Sequence, residues 1–209
     1  MGRDTGGPIF LFEESIMKIR MQRFLSMSCS AVLLAAMAAL AQGGASDEDK
    51  HFIEAALKGG MAEVELGQLA VKKAASADVK AFGQKMVDDH TKLGDQMKSV
   101  AGQIGVTPPT MKTAGDIALK TKLELLSGDS FDKAYISAMV KDHEEDLKDF
   151  KNEANTGTSP VVKGAAREGA TVVNHHLMMI RKIAEAHNVS ASLSKPSAAK
   201  LAVGTRAAL

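Results

Sequence analysis

The chain has 209 residues, with 26 basic and 25 acidic side chains, one tyrosine and no tryptophan. A nearly neutral chain with so few aromatic rings lacks the basic surface and the stacking platforms that nucleic-acid binding requires. Alanine, lysine, glutamate, leucine and methionine dominate and runs of β-branched residues are scarce, which predicts an all-α fold.

The first 41 residues predict a removable export signal. A basic segment over residues 18–23 precedes an almost uncharged apolar run over residues 24–41, and Ala39-Leu40-Ala41 forms a small-x-small cleavage site. We therefore expect Sec-dependent export to the periplasm and a mature chain that begins at Gln42. An uncleaved membrane anchor is the alternative, because the apolar run is close to the length of a membrane span.

Translation could start at Met1, Met17 or Met21. Acidic residues are unusual ahead of a signal sequence, so we interpret residues 1–16 as an over-extended start. Cleavage at the predicted site would remove Cys29, the single cysteine of the chain. The mature protein would then have no disulfide bond and no thiolate ligand.

Apolar residues at helical spacing, together with cap residues and Pro/Gly breaks, predict four long helices and one short one. The predicted ranges are 47–73, 78–104, 114–126, 131–154 and 160–187. The connection that contains the short helix is long enough to run back along the bundle, so the long helices on either side of it would be parallel. Residues 42–188 are therefore predicted to form one domain, with a mobile tail over residues 189–209.

Two features of the first helix bear on packing and chemistry. Gly60 and Gly67 lie on its apolar seam, and since glycine weakens a helix, we expect both to allow close approach of a neighbouring helix. Glu63 and Glu65 flank the same seam near the middle of the helix, where solvation at the surface is the default interpretation for both.

The other three long helices each carry histidine near the middle of the inner seam. A methionine stands one helical turn before two of these histidines, so each Met/His pair shares a helix face. The candidate site residues are Met86, His90, Met139, His143, His175 or His176 and, from the first helix, Glu65.

Two interpretations of these residues remain open. The first is a buried hydrogen-bond network, in which neighbouring carboxylates such as Asp89 and Asp142 satisfy the imidazoles. The second is a metal site. Thioether together with imidazole suits copper, particularly Cu(I), although another transition metal such as zinc, bound through histidines and a glutamate, is an alternative.

The sequence argues against a di-iron centre, which needs glutamate three residues before histidine on two helices. Val87 and Val140 occupy those positions before His90 and His143, and a valine also precedes His175 and His176 at this spacing. No nucleophile elbow, phosphate loop or dinucleotide fingerprint is present either, so enzymatic activity is not supported.

Several segments together resemble a family of exported bacterial proteins, domain of unknown function 4142. These segments are Phe52–Ala56, Glu65–Ala70, Val79–Phe82, Met86–His90 and Phe131–Tyr135 with His143. The resemblance covers about residues 48–188. It implies a ferritin-like fold and a periplasmic or outer-membrane location, and we expect a ferritin-like antiparallel four-helix bundle with a short additional crossover helix.

The leading functional prediction is a non-enzymatic exported protein with an envelope, stress-related or interaction role. A periplasmic metal-binding protein of the copper-type His/Met kind is the alternative, and a di-iron redox enzyme is third. The sequence leaves a protein partner or a homo-oligomer open.

Overall fold

The computed structural model describes residues 44–190, and this part of the chain contains five helices and no strand. The helices are α1 (Asp47–Lys73), α2 (Ala77–Ile104), α3 (Ala114–Glu124), α4 (Gly128–Thr156) and α5 (Pro160–Ala186). The all-α prediction is confirmed. Within residues 44–190, none of the helices combines the length and the hydropathy of a transmembrane segment. The predicted export signal and almost all of the predicted tail lie outside the described residues.

Helix α1 has the bounds that were predicted, because its first turn is defined by a local signal. The Ser46 hydroxyl accepts a hydrogen bond from the Asp49 backbone N–H (3.1 Å), and the Asp49 carboxylate accepts one from the Ser46 N–H (2.7 Å). This reciprocal pair is a capping box, with aspartate in the usual place of glutamate.

Helix α4 begins at Gly128, three residues before the predicted start at residue 131. Gly128 has a φ of 57°, a left-handed conformation that glycine adopts without strain and that turns the chain directly into the helix. The Ser127 carbonyl then accepts from the Phe131 N–H (3.3 Å). The turn is therefore shorter than the polar composition of this segment suggests.

The long helices pack as an antiparallel bundle in which α1 pairs mainly with α2 and α4 mainly with α5. One end of the core combines the C-terminal halves of α1 and α5 with the N-terminal halves of α2 and α4. Helices α2 and α4 therefore run parallel, and the connection that contains α3 returns along the bundle between them. The predicted crossover is confirmed.

Two separate apolar clusters form the core. The first surrounds Phe82 and Tyr135, and the second surrounds Met97 and Phe150. Between them lies a layer of buried polar side chains, one from each long helix: Glu63, His90, His143 and His176. The fold thus places a polar layer at the level of the bundle where the sequence predicted its histidines.

The two glycines of α1 behave differently. A Cβ atom on Gly67 would lie 2.7 Å from the backbone oxygen of Gly83, so these two residues allow α1 and α2 to touch backbone to backbone. No atom lies within 4 Å of the corresponding position on Gly60. The prediction of close helix approach is confirmed at Gly67 and is wrong at Gly60, which instead leaves open space beside the polar layer.

Asp132 at the start of α4 holds the turn between α1 and α2. Its buried carboxylate accepts hydrogen bonds from the Ala75 N–H (2.9 Å), the Ser76 N–H (2.8 Å) and the Ser76 hydroxyl (2.6 Å). We expect Asp132→Ala to lower the free energy of unfolding by about 2–3 kcal/mol, because backbone donors would lose their acceptor away from water.

Urea denaturation followed by circular dichroism would measure this loss. Asp129→Ala is the matched control, since Asp129 lies about one turn before Asp132, is exposed, and pairs with Lys133 at the surface. Its expected effect is within about 0.5 kcal/mol. Equal losses for the two variants would contradict the role assigned to Asp132.

Candidate metal centre

Three imidazoles converge at the centre of the polar layer. His90 of α2, His143 of α4 and His176 of α5 are each at most 1% exposed. The Nε2 atom of His90 lies 3.1 Å from Nδ1 of His176. One ring nitrogen of each histidine lies within 4.8 Å of the corresponding atoms of the other two, which is the arrangement expected of a metal-binding group.

The outer nitrogen of each ring faces an acceptor. Nε2 of His176 lies 2.9 Å from the Asp89 carboxylate, and Nδ1 of His143 lies 3.0 Å from the backbone carbonyl of Met139. Nδ1 of His90 lies 2.8 Å from Oε2 of Glu63, an ion-pair contact without the alignment of a good hydrogen bond. Metal-bound histidines in proteins are oriented by such acceptors, which set the tautomer.

These acceptors keep protons on the outer nitrogens and leave lone pairs on the inner ones. Two lone pairs 3.1 Å apart, on His90 and His176, would repel, so a cation or a proton must lie between them. Burial lowers the pKa of His90, but the charge and close contact of Glu63, together with the charges of Asp142 and Asp89, outweigh burial and raise it overall. In the metal-free layer, His90 is therefore the imidazole that carries the extra proton.

The other two imidazoles favour the neutral form that binds metals. Burial lowers the pKa of His143, and the neighbouring His90 adds to this effect. Burial also lowers the pKa of His176, to about 4, although its hydrogen bond to Asp89 opposes the shift.

Glu63 completes the layer from α1 and is only 4% exposed. Its Oε1 atom lies 3.6 Å from Nε2 of His143, too far for a hydrogen bond. Among the described residues neither of these two atoms has a hydrogen-bond partner. Burial raises the pKa of Glu63, but the charge and close contact of His90, with smaller contributions from His143 and His176, together outweigh burial and lower it, so the carboxylate is ionised.

A second group of possible ligands adjoins the first. Glu63, Asp142 and His143 each offer one atom within 4.8 Å of the others. Asp146, one turn after Asp142, lies close enough for their charges to interact. Burial, and to a smaller extent the charge of Glu63, raises the pKa of both aspartates, so they keep their protons to a higher pH than an ordinary aspartate does.

The structure gives the seven candidate residues different positions. His90, His143 and His176 meet, whereas His175 is exposed on the outside of α5. Glu65 also lies outside the layer, where its carboxylate pairs with Lys112.

The two candidate methionines are fully buried in the apolar cluster that contains Phe82 and Tyr135. Met139 contacts His143 through its backbone carbonyl, and Met86 lies one turn before His90. Their position beside the histidines agrees with the predicted shared helix faces.

Glu63 is the site residue that sequence reasoning missed. The sequence placed Glu63 and Glu65 at the same level of α1, on opposite sides of the seam, and provided no reason to prefer either. A preference would have required knowing which side α2 and α4 cover. The useful signal was that a midplane with three histidines needs a negative charge nearby.

Comparison with known proteins identifies the family. The sequence matches Domain of unknown function (DUF4142) over residues 34–183. The chain belongs to this family. The resemblance drawn from the sequence is thereby confirmed, and a search of curated proteins finds no match for this DUF4142 chain.

Solved structures similar to the DUF4142 chain support the fold. A DUF305 fragment from Deinococcus radiodurans has a TM-score of 0.62 at 12% identity, with coverage of 69% of this chain and 99% of the fragment. A DUF305 protein from Streptomyces coelicolor, named as a candidate secreted protein, has a TM-score of 0.59 at 14% identity, with coverage of 68% and 94%.

A third similar structure carries the ferritin-like label. It is a two-domain protein from Anabaena variabilis with DJ-1/ThiJ/PfpI-like and ferritin-like domains. The TM-score is 0.52 at 15% identity, with coverage of 70% of this chain and 39% of that protein. At these identities the likeness concerns the fold alone, and it confirms the predicted ferritin-like bundle.

Proposed function

We propose that this protein binds a transition metal ion through His90, His143 and His176. One observation carries the proposal. Three buried imidazoles have their outer nitrogens directed to acceptors and their inner nitrogens directed at one another. A hydrogen-bond network would place a donor opposite each inner nitrogen. Here the extra proton of His90 can serve only its contact with His176, and among the described residues Nε2 of His143 and Oε1 of Glu63 have no hydrogen-bond partner.

The spacing of the ring nitrogens suits a tetrahedral ion. Metal–nitrogen bonds of about 2.0–2.1 Å place neighbouring ligand nitrogens about 3.3 Å apart. The His90–His176 pair is already at 3.1 Å, and Nε2 of His143, which lies within 4.8 Å of both, would complete the set by moving inward. The free Oε1 atom of Glu63 is positioned to supply a fourth ligand or to orient a bound water.

The donor set favours a borderline divalent ion. Three imidazoles and a carboxylate suit Zn(II) and Cu(II), and in the general order of affinities Cu(II) binds more tightly. Cu(I) would be favoured if the Met86 or Met139 thioether joined the site. The missing Glu-x-x-His pairs speak against di-iron chemistry.

The proposed setting is the cell envelope, where the protein would hold the metal without catalysing a reaction. The basic and apolar segments before Gln42 support export, as does the similarity to the Streptomyces coelicolor protein that is named as a candidate secreted protein. Mass spectrometry of the protein recovered from the periplasm should show Gln42 as its first residue. A chain that retains residues 24–41 would contradict cleavage.

Thermal unfolding of the purified protein with Zn(II), Cu(II), Cu(I), Fe(II) or a chelator tests metal binding. A ligand that binds only the folded state stabilises it by about 2.7 kcal/mol when its free concentration is 100 times its dissociation constant. We expect a shift of this order with copper or zinc, at about one bound ion per chain.

The chain offers two matched controls for this experiment. His176→Gln should abolish the shift, whereas His175→Gln, at the exposed neighbouring residue, should preserve it. Glu63→Gln should weaken binding, and Glu65→Gln should not. If none of the metals changes the unfolding temperature of the unmodified protein, the layer is a buried polar network and the proposal is wrong.

A further inference from the structure

A groove leads from one end of the bundle to the candidate metal centre. It lies between α1 and α4, has a volume of about 440 Å³, and reaches Glu63 and His90 at its inner end. Phe52 and Phe150 contribute to its apolar lining. The groove is open on its α1 side because the residues that line it there have small side chains or none: Ala55, Ala56, Gly59 and Gly60.

Helix α4 lines this groove with acidic side chains. Asp142, Asp146, Asp149 and Glu153 recur at spacings of four, three and four residues, which places them on one face of the helix. The last three line the groove, and Glu48 of α1 adds a carboxylate near its outer end. At 1.5 Å per residue, this acidic stripe extends over about 16 Å.

The charge of the groove has one sign. Among the described residues that line it, none is lysine or arginine. A second groove also reaches His90, on the side of α1 that faces the segment before α3, but Lys98 and Lys112 line that one. Lys112 already pairs with Glu65 there, so the second groove offers a cation much less attraction.

Buried oxygens without partners lie at both ends of the acidic groove. Oε1 of Glu63 is at the inner end and Oε1 of Glu153 is near the outer end, and their residues are 4% and 6% exposed. Within residues 44–190 neither atom has a hydrogen-bond partner. Unsatisfied buried carboxylate oxygens are costly, and a passing or bound cation would satisfy them.

From this arrangement we infer that the acidic groove is the route by which divalent metal cations reach the histidine layer. Glu63 and Asp142 would hold the arriving ion beside Nε2 of His143 before the three imidazoles take it up. A groove of one sign of charge with apolar walls focuses the electric field and accelerates the arrival of an opposite charge. The inference rests on the proposed metal binding and specifies how the ion arrives.

Stopped-flow measurement of Co(II) uptake tests this route, because the visible absorbance of Co(II) reports its coordination by protein nitrogen. We expect the double variant Glu48→Gln/Asp149→Asn, at two exposed acidic residues of the groove, to take up Co(II) about tenfold more slowly than the unmodified protein at low ionic strength. The difference should shrink as salt is added, because salt screens the acidic stripe. The stoichiometry should stay at one ion per chain.

The matched control changes the net charge equally but leaves the groove unaltered. Asp129 and Glu145 lie on α4, are exposed and make only surface ion pairs. Asp129→Asn/Glu145→Gln should reduce the uptake rate by less than twofold. Equal slowing in the two double variants would show that only net charge matters, and would overturn the assigned route.

A steric variant tests the route independently of charge. Gly59 lines only the acidic groove and has open space around it, so Gly59→Leu should fill the groove without a clash. We expect it to slow uptake at every salt concentration, whereas Gly102→Leu, on the exposed side of α2, should not.

The outcomes separate the two proposals. If Co(II), Zn(II) and Cu(II) all fail to bind the unmodified protein at equilibrium, the proposed function is wrong and the route has no purpose. If an ion binds to the three histidines but neither the charge variant nor Gly59→Leu changes the uptake rate, the metal site stands and the route is wrong.

Discussion

Gly83→Ala is expected to lower the free energy of unfolding by about 2–3 kcal/mol. A Cβ atom at this position would lie 2.8 Å from the backbone oxygen of Gly67 and 2.8 Å from the Cβ atom of Ala70. Neither obstacle is the end of a flexible side chain. The added methyl group would therefore force α1 and α2 apart along the interface on which each helix depends most.

Gly102→Ala in the same helix provides the control for this prediction. Gly102 is exposed in the interior of α2, and nothing lies within 4 Å of its Cβ position. Alanine should stabilise the protein there by roughly 0.5–1 kcal/mol, because it has the higher helix propensity. Urea denaturation should thus show effects of opposite sign. A neutral Gly83→Ala variant would contradict the backbone contact between the two helices.

Asp49→Ala is expected to lower the free energy of unfolding by about 3 kcal/mol or more, because three backbone donors would lose a buried acceptor. The Asp49 carboxylate is fully buried and joins the first turns of α1 and α5. It accepts hydrogen bonds from the N–H groups of Ser46 (2.7 Å), Thr158 (3.0 Å) and Ser159 (3.1 Å), and also from the Thr158 hydroxyl.

Asp47→Ala is the matched control for Asp49→Ala, because Asp47 lies in the same turn with its side chain 87% exposed. We expect its effect to stay below about 1 kcal/mol. Thermal or urea unfolding of the two variants under the same buffer conditions measures the difference. Similar losses would show that the buried contacts across the bundle end contribute little.

The pKa of Asp49 also predicts how the free energy of unfolding depends on pH. Burial raises its pKa, but the hydrogen bonds from Thr158, Glu153 and Ser46 together outweigh burial and hold the pKa well below its usual range. A group whose pKa is depressed on folding stabilises the protein fully above its unfolded pKa of about 3.9, and this stability is lost as the pH falls below that value. The Asp49→Asn variant should therefore lose less stability than the unmodified protein as the pH is lowered through this range.

The contribution of Glu153 to folding stability has the opposite dependence on pH. Burial, together with a hydrogen bond to Asp49 and the charge of that residue, raises the pKa of Glu153 from 4.5 to about 7. The stability that Glu153 contributes is fully present below pH 4.5 and is lost as the pH rises to about 7. Unfolding measured from pH 4.5 to pH 7 should show this decline in the unmodified protein and a flatter profile in Glu153→Gln. An unchanged slope would contradict the raised pKa.

Most of the helical framework could be predicted from the sequence because its signals are local. Ser46 and the acidic first turn set the start of α1, and Pro160 sets the start of α5, through contacts within a few residues. Gly105 ends α2 in the left-handed conformation expected of a terminal glycine. The repeated spacing of Met and His likewise placed His90 and His143 on the inner seam before any packing was known.

The residues that the sequence left open depend on contacts between distant helices. Whether His175 or His176 points inward depends on how α5 is rotated against α2, where the Asp89 carboxylate meets His176. In the sequence, Asp49 and Asp132 resemble ordinary acidic residues near the start of a helix. In the structure, the carboxylate of each accepts hydrogen bonds from a segment more than 50 residues away.

Glu63 and Glu65 show most clearly the difference between what local sequence signals predict and what contacts between helices determine. Both lie near the middle of α1, and local spacing treats them alike. The tertiary structure packs Glu63 against His90 and leaves Glu65 to pair with Lys112. The helices, their order and the level of the histidines follow from local sequence signals. Which carboxylates join the histidines follows from packing between helices, because burial of a charge depends on the partners that other helices bring to it.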